Sequence, residues 1–216
     1  MSYYTATATT TNGNQRTQPN QKSNRTTDNI ISPVSTSDMA NFLGLPMPLT
    51  VADEVLIDGL LVASCKFYID YTNKELLIRN YTLRYDRYPE RQSAFGGLGA
   101  MHSNQDWWIT FPVWPVDNIV SVTVNDELLV DVTDYTHDLN SEPARLMLVQ
   151  TLASPIVVNY NSGYATSNDI PSNALTGIQL LTAYLFDHRG ACDVSMAAQQ
   201  SGAKTMWASD VMILTL

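Results

Sequence analysis

The first strong pattern in the chain is a set of apolar residues spaced three or four positions apart, which is typical of one face of a helix. Its members are Leu56, Leu60, Ala63, Phe67 and Tyr71. Thr50 and Asp53 form a capping box in which Asp replaces the usual Glu, and Asn73 suits the position after the last turn. The pattern predicts a helix over about residues 50–72.

A second helical pattern lies near the end of the chain. Its apolar face consists of Ala174, Leu175, Ile178, Leu181, Thr182 and Leu185. Pro171 suits the first turn of a helix, and Gly190 suits a stop just beyond the last turn. A helix is predicted over about residues 171–189.

Between the two helical patterns the period changes to the alternation of β-strands. Strands of ordinary length are predicted at residues 76–85, 107–111, 119–124, 135–139, 145–149 and 156–160. The segment 125–127 (Asn-Asp-Glu) predicts a turn, and residues 86–106 predict a long loop. The predicted fold class is α+β, with a mainly helical core and a small antiparallel β insertion over about residues 76–160.

The two ends of the chain differ from this central core, which we place at residues 37–190. Of the first 36 residues, 21 are Thr, Ser, Asn or Gln, which predicts a polar, extended N-terminal arm over residues 1–36. Either the arm is a flexible tail, or it is a tether that becomes ordered on a neighbouring molecule. A short helix is predicted directly after it, with its N-cap at Ser37 and its stop at Gly44.

Residues 191–216 form a predicted C-terminal tail that ends in an apolar stretch. The residues that we expect to contact a partner are Met206, Trp207, Val211, Met212, Ile213, Leu214 and Leu216. Two interpretations stay open: the tail returns to its own core, or it inserts into another protein.

Charge is distributed unevenly along the chain. The formal net charge is −9, from 12 Lys or Arg and 21 Asp or Glu. Residues 1–36 contain three basic residues and one acidic residue, so the remainder carries −11. No Lys or Arg occurs between Arg91 and Arg145, where eight acidic residues occur. Because duplex DNA is gripped by Lys and Arg on phosphates, this composition argues against a DNA-gripping role.

Candidate chemistry is sparse. Two cysteines and three scattered histidines do not make a metal-ligand pattern, and we expect no metal or cofactor. His137 and Asp138 are neighbours in a predicted strand, so their side chains should point to opposite faces. Cys65 and Cys192 are expected to be free thiols of a chain made in the cytoplasm, without signal peptide or membrane helix. We therefore predict no enzymatic activity and name no catalytic residue.

Aromatic and arginine residues are the remaining candidates for binding. The aromatic candidates for contacts between subunits are Trp107, Trp108, Phe111 and Trp114. They are either interface anchors or members of the sheet core. The arginine candidates are Arg79, Arg84, Arg87 and Arg91, interleaved with tyrosines. Because Asp86 and Glu90 lie among them, salt bridges between subunits are favoured over a nucleic-acid patch.

Several short motifs in this order resemble one known family. They are residues 68–73 (YIDYTN), 111–122 (FPVWPVDNIVSV), 156–164 (IVVNYNSGY), 170–175 (IPSNAL) and 183–189 (AYLFDHR). Together they resemble the phage head–tail connector family, also called adaptor or head-completion proteins. The resemblance covers about residues 38–190. The polar arm and the loop at residues 86–106 are additions to that pattern.

The resemblance implies a helical core with a β-hairpin insertion and a place in the virion neck, at the head–tail junction. It implies a ring, typically of twelve copies, docked under the portal protein and followed by the tail or the next neck protein. It also implies a C-terminal segment that contacts the portal and a lumen through which DNA passes without specific binding. An acidic body fits such a lumen, because like charge keeps DNA from sticking.

A different virion protein is the alternative, namely a β-rich tail or fibre module that binds a receptor or a sugar. Exposed Trp and Tyr among Asn and Asp would suit sugar binding. The two helical patterns argue against this alternative. An enzyme comes third, and a pocket that holds His137 beside a second acid would favour it.

Overall fold

The computed structural model describes residues 21–25, 30–86, 108–149, 155–189 and 193–211. The helices are α1 (Thr36–Phe42), α2 (Val51–Thr72), α3 (Ser172–Asp187), α4 (Val194–Gln200) and α5 (Ala203–Met206). The strands are β1 (Gln21–Arg25), β2 (Arg79–Tyr85), β3 (Trp108–Thr110), β4 (Val116–Val124), β5 (Glu127–Leu128), β6 (Tyr135–Asp138), β7 (Arg145–Leu148) and β8 (Ile156–Ser162). Within these residues, no helix combines the length and the apolar character needed to cross a bilayer.

Helix α2 has the predicted caps. The Thr50 hydroxyl accepts a hydrogen bond from the Asp53 amide, and Asn73 ends the helix in the left-handed conformation at φ 59°. The buried face, however, is centred one position beyond the predicted one. Its residues are Ile57, Leu61, Ser64, Cys65, Tyr68, Ile69 and Thr72. The predicted residues are only half-buried, because α2 has apolar side chains on neighbouring faces as well.

The other two predicted helices differ from expectation only at their ends. Helix α1 is capped by Ser35, whose hydroxyl accepts from the Asp38 amide, and not by Ser37. Helix α3 begins directly after Pro171, and its buried face includes Ala174, Ile178 and Leu181 as predicted.

The strands form two antiparallel sheets. One has the order β1-β2-β8-β4-β5, and the other has the order β3-β7-β6. The turn between β4 and β5 uses Asn125 and Asp126 at positive φ, as a tight hairpin requires. Strand β1, which comes from the predicted arm, pairs antiparallel with β2 from Gln21 opposite Tyr85 to Arg25 opposite Tyr81.

The structure confirms an α+β fold, but a mainly helical core is not confirmed. The strands make up a share of the described structure comparable to that of the helices. The buried apolar residues fall into two clusters. The helical cluster contains the buried faces of α2 and α3, together with Ile30 and Val34 from the chain before α1. The β cluster lies between the sheets and includes Leu83, Phe111, Val158 and Tyr160.

A seam of main-chain hydrogen bonds joins the helical part to the β part. The Trp114 amide donates to the Asn73 carbonyl at 3.2 Å, and the Glu75 amide donates to the Trp114 carbonyl at 2.9 Å. The Ile78 amide donates to the Tyr164 carbonyl at 3.2 Å. The residue after α2 is therefore hydrogen-bonded directly to the entrance of β4.

The tail contains α4 and α5, which the sequence pattern did not predict. Both short helices pack beside α3, and Trp207, at the end of α5, is fully buried. The indole lies edge-on to Tyr68, with 5.3 Å between the ring centroids, and its Nε1 donates to the Ala174 carbonyl at 3.2 Å. This part of the tail thus returns to its own core, one of the two interpretations left open.

Candidate interaction surfaces

A buried polar cluster fixes the point at which the C-terminal tail leaves the helical core. Asp210 is 5% exposed, and its Oδ1 lies 3.0 Å from the Lys74 ammonium. Its Oδ2 accepts from the side-chain Nδ2 of Asn173 at 3.0 Å and from the Tyr68 hydroxyl at 3.4 Å. The Lys74 ammonium also lies 4.1 Å from the centre of the Trp114 ring, within cation–π range. The cluster therefore ties α2, α3, the tail and the entrance to β4 together.

Burial and the neighbouring carboxylate act on Tyr68 in the same direction. Removal of the phenol from water raises its pKa, and the negative charge of Asp210 raises it further. Tyr68 therefore stays protonated and donates its hydroxyl hydrogen to the carboxylate.

The tail residues that we expect to contact a partner differ in how exposed they are. The Trp207 side chain is fully buried in the helical core of its own chain, so it has no exposed surface for a partner. Met206 is 43% exposed, and Val211 is half-buried at the end of the described tail. The other predicted contacts lie outside the described residues: Met212, Ile213, Leu214 and Leu216.

The aromatic candidates for contacts between subunits also differ in exposure. Phe111 is fully buried, with its ring 4.8 Å from that of Tyr160, and Trp114 is 4% exposed, so both belong to the interior. Trp108 is 38% exposed and is covered on one side by the Arg145 guanidinium, 4.6 Å from the ring centre. Trp107 lies outside the described residues. Of this group, only Trp108 offers described surface to a partner.

Two of the four candidate arginines are paired within their own chain. Arg79 is 7% exposed, and its Nε lies 3.5 Å from the Glu75 carboxylate. Arg84 is half-exposed, with its Nε 2.7 Å from Asp86. Arg87 and Arg91 lie outside the described residues. Salt bridges to a second subunit stay a prediction for the exposed arginines.

One surface was missed by the sequence interpretation. Four apolar side chains are exposed along and just beyond the outer edge of the five-stranded sheet. Val120 in β4 and Leu128 in β5 are 56% and 65% exposed, and Val130 and Val132, in the connection from β5 to β6, are 61% and 79% exposed. We call this surface the valine edge. A signal for it was present in the sequence: Leu128, Val130 and Val132 stand at every second position, and apolar residues on one face of an extended segment need a surface to cover them.

Titratable side chains give little support for catalysis. Among the described residues, no group of three or more His, Cys, Asp or Glu is arranged to hold a metal ion. The His137 Nδ1 lies 3.4 Å from an Asp131 carboxylate oxygen, and both side chains are open to solvent. Cys65 is a free, fully buried thiol, and burial raises its pKa to about 12. A thiol in that state is a packed hydrophobe rather than a nucleophile.

Solved structures of similar fold come from gene transfer agent (GTA) particles. One is a chain of the neck of an empty GTA particle computed with C6 symmetry, with a TM-score of 0.64 at 14% identity. The match covers 90% of this chain and 97% of that chain. A chain of the neck of a native particle, computed with C12 symmetry, matches with a TM-score of 0.61 at 12% identity, over 90% of this chain and 97% of that one.

A third similar chain belongs to the virion of a native GTA particle. Its TM-score is 0.59 at 15% identity, over 82% of this chain and 93% of that one. No protein-family model matches the sequence, and no curated protein does. The chain therefore has, along nearly its whole length, a fold found in the neck of a GTA particle.

Proposed function

We propose that the chain is a structural subunit of a phage-type neck, in which copies form an adaptor ring that joins the capsid portal to the tail. The ring leaves a channel for DNA, and the chain has no catalytic role. The observation that carries the proposal is the extent of the fold similarity. It spans 90% of this chain and 97% of a neck chain, so the likeness includes the helical and the β parts together.

Symmetry and charge support the same proposal. The similar necks were computed with C6 and C12 symmetry, which suits a ring of twelve copies. The net charge of −9, with no Lys or Arg from residue 92 to residue 144, suits a channel wall from which DNA slides freely.

We assign the contact with the portal to the apolar end of the tail. Burial of Trp207 and Asp210 anchors the tail on the body, and the largely apolar segment of residues 211–216 follows directly. An anchored segment loses less conformational entropy on binding than a free one, so a short apolar segment suffices for docking.

The location in the particle tests the proposal. Gold-labelled antibody against this protein on the source particles, viewed by electron microscopy, is expected to lie at the junction of head and tail. Gold at the tail tip or on fibres, or none on the particle, would overturn the neck assignment. The fibre alternative gains nothing from the fold, because a match over 90% of the chain must take in helical and β parts together.

Removal of residues 212–216 is expected to abolish binding to the portal protein of the source particle while the far-UV circular dichroism stays unchanged. Those residues lie beyond the buried Asp210, so their loss costs no described contact of the core. Pull-down with purified portal measures the effect. Deletion of residues 206–216 is the contrasting variant: it removes Trp207 and Asp210 and should lower the free energy of unfolding by several kcal/mol.

The control for loss of apolar surface is Val55→Ser, because Val55 is 69% exposed near the start of α2, whereas Trp207 of the tail contacts Tyr68 near the end of that helix. Unchanged portal binding after the short deletion would rule out the tail as the contact.

A further inference from the structure

The two edges of the five-stranded sheet have different character. One edge is β1, within a segment that is basic: residues 1–25 contain Arg16, Lys22 and Arg25 and no acidic residue. The opposite edge is the valine edge of β4 and β5, where Asp117, Asp126, Glu127 and Asp131 are exposed. The sheet therefore has a basic strand, β1, at one edge and an acidic border at the other.

The valine edge is incompletely paired within the described chain. Strand β5 pairs with β4 only at Thr123 and Val124, and the Leu129 amide adds one bond to the Val122 carbonyl at 2.9 Å. The β4 register shifts between Ile119 and Ser121 as well, which leaves Val120 in a bulge and 56% exposed. Exposed apolar side chains beside an open sheet edge mark a surface that another chain covers.

Charge and chain length favour residues 1–25 of a second copy as the segment that covers the valine edge. The acidic border of the valine edge is complementary to the acid-free segment of residues 1–25. The 20 residues before β1 reach about 70 Å when extended, which exceeds the width of the five-stranded sheet, about 19 Å. An arm held by β1 at one edge is therefore long enough to span the whole sheet of an adjacent copy.

We propose that the valine edge binds residues 1–25 of a second copy, whose β1 stays paired with its own β2. A contact between two different surfaces of identical subunits is head-to-tail, and it closes into a ring when the rotation between subunits closes. The proposal deepens the proposed function, since it names the two surfaces that join neighbours in the ring. Asp126 and Glu127 supply the charge for the arm, and Leu128 and Val130 supply the apolar contact.

A photo-crosslink in the full-length chain tests the proposal. Benzoylphenylalanine at position 128 is introduced into unlabelled protein, which is mixed with ¹⁵N-labelled wild-type chain at the highest soluble concentration and irradiated. The expected result is a link from position 128 to a ¹⁵N-labelled peptide within residues 1–25. Links to other labelled peptides, links only within the unlabelled chain, or no links would each overturn it.

Position 55 provides the matched control, because Val55 is 69% exposed and Leu128 is 65% exposed, but Val55 lies on α2. Benzoylphenylalanine at position 55 is expected to give no link to residues 1–25. An equal yield from both positions would mean unspecific contact and would also contradict the proposal.

Charge reversal adds a second test of specificity. The variant Arg16→Glu, Lys22→Glu, Arg25→Glu in the labelled chain is expected to lower the crosslink yield more than about tenfold, because like charges across an interface oppose association. Asp126→Lys with Glu127→Lys in the other chain is expected to restore it. A restored yield supports the pairing, and a yield insensitive to both changes overturns it.

The outcome is separable from that of the proposed function. A neck location without the crosslink would reject this interface and leave the function intact. The crosslink without a neck location would reject the function and leave the self-association intact.

Discussion

Substitution of Gly177 by alanine is expected to lower the free energy of unfolding by about 2–4 kcal/mol. A Cβ atom at this position of α3 would lie 2.1 Å from Nε1 of Trp207 and 2.6 Å from its Cε2. The indole has no room to yield, since it packs against Tyr68 and donates to the Ala174 carbonyl. The tryptophan must leave its site, at a cost of about 3–5 kcal/mol, offset by about 1 kcal/mol from the better helix propensity of alanine.

Gly59→Ala is the matched control for this prediction. Gly59 lies inside α2, and an added Cβ would meet no atom within 4 Å. There the same substitution should raise the free energy of unfolding by about 0.5–1 kcal/mol. Urea unfolding followed by circular dichroism measures both variants. A stabilised Gly177→Ala protein would show that Trp207 is not packed against α3.

Lys74→Met is expected to lower the free energy of unfolding by about 3–5 kcal/mol, because it leaves the Asp210 carboxylate buried without its cation. The side chains of Lys74 and Asp210 are only 8% and 7% exposed, so water cannot replace the lost partner. Methionine keeps a long unbranched side chain over Trp114, so the loss reports on charge rather than on volume. Thermal and urea unfolding at neutral pH measure it.

The surface pair Lys66–Asp70 supplies the comparison, at 3.1 Å against 3.0 Å for the buried pair. Its side chains are 56% and 31% exposed, and Lys66→Met should cost only about 0.3–0.5 kcal/mol. Equal losses from the two substitutions would contradict the role assigned to burial.

The first three helices and most strands could be predicted because their signals are local. Thr50 with Asp53 marks the start of α2, and Asn73 marks its end, so three residues define 22 helical positions. The buried face of α2 was assigned one position early. Leu60, on the predicted face, and Ile57, on the observed face, are equally apolar, and only packing against α3 determines which face is buried. Strand β1 could not be predicted, because its residues are polar and it forms through main-chain pairing with β2.

The interaction surfaces were less accessible to sequence analysis. Lys74 and Asp210 are 136 positions apart, and neither has a local pattern that predicts an ion pair. Trp207 looked like a partner contact because an apolar residue near the end of a polar stretch needs cover. The Trp207 side chain packs against Tyr68 and against the backbone at Gly177. These contacts form only when α5 has folded against α3.

The seam between the helical and β parts bears on how far the sequence can diverge. Its bonds join amides and carbonyls, groups that nearly every amino acid supplies, so substitution of most seam side chains leaves it intact. Gly163 is different: its φ is +124°, and a Cβ there would lie 2.4 Å from the Leu77 carbonyl carbon. A joint built from main-chain atoms and one obligatory glycine places few demands on side chains, which suits a fold shared at 12–15% identity. We expect glycine to recur at this joint wherever distant chains build it.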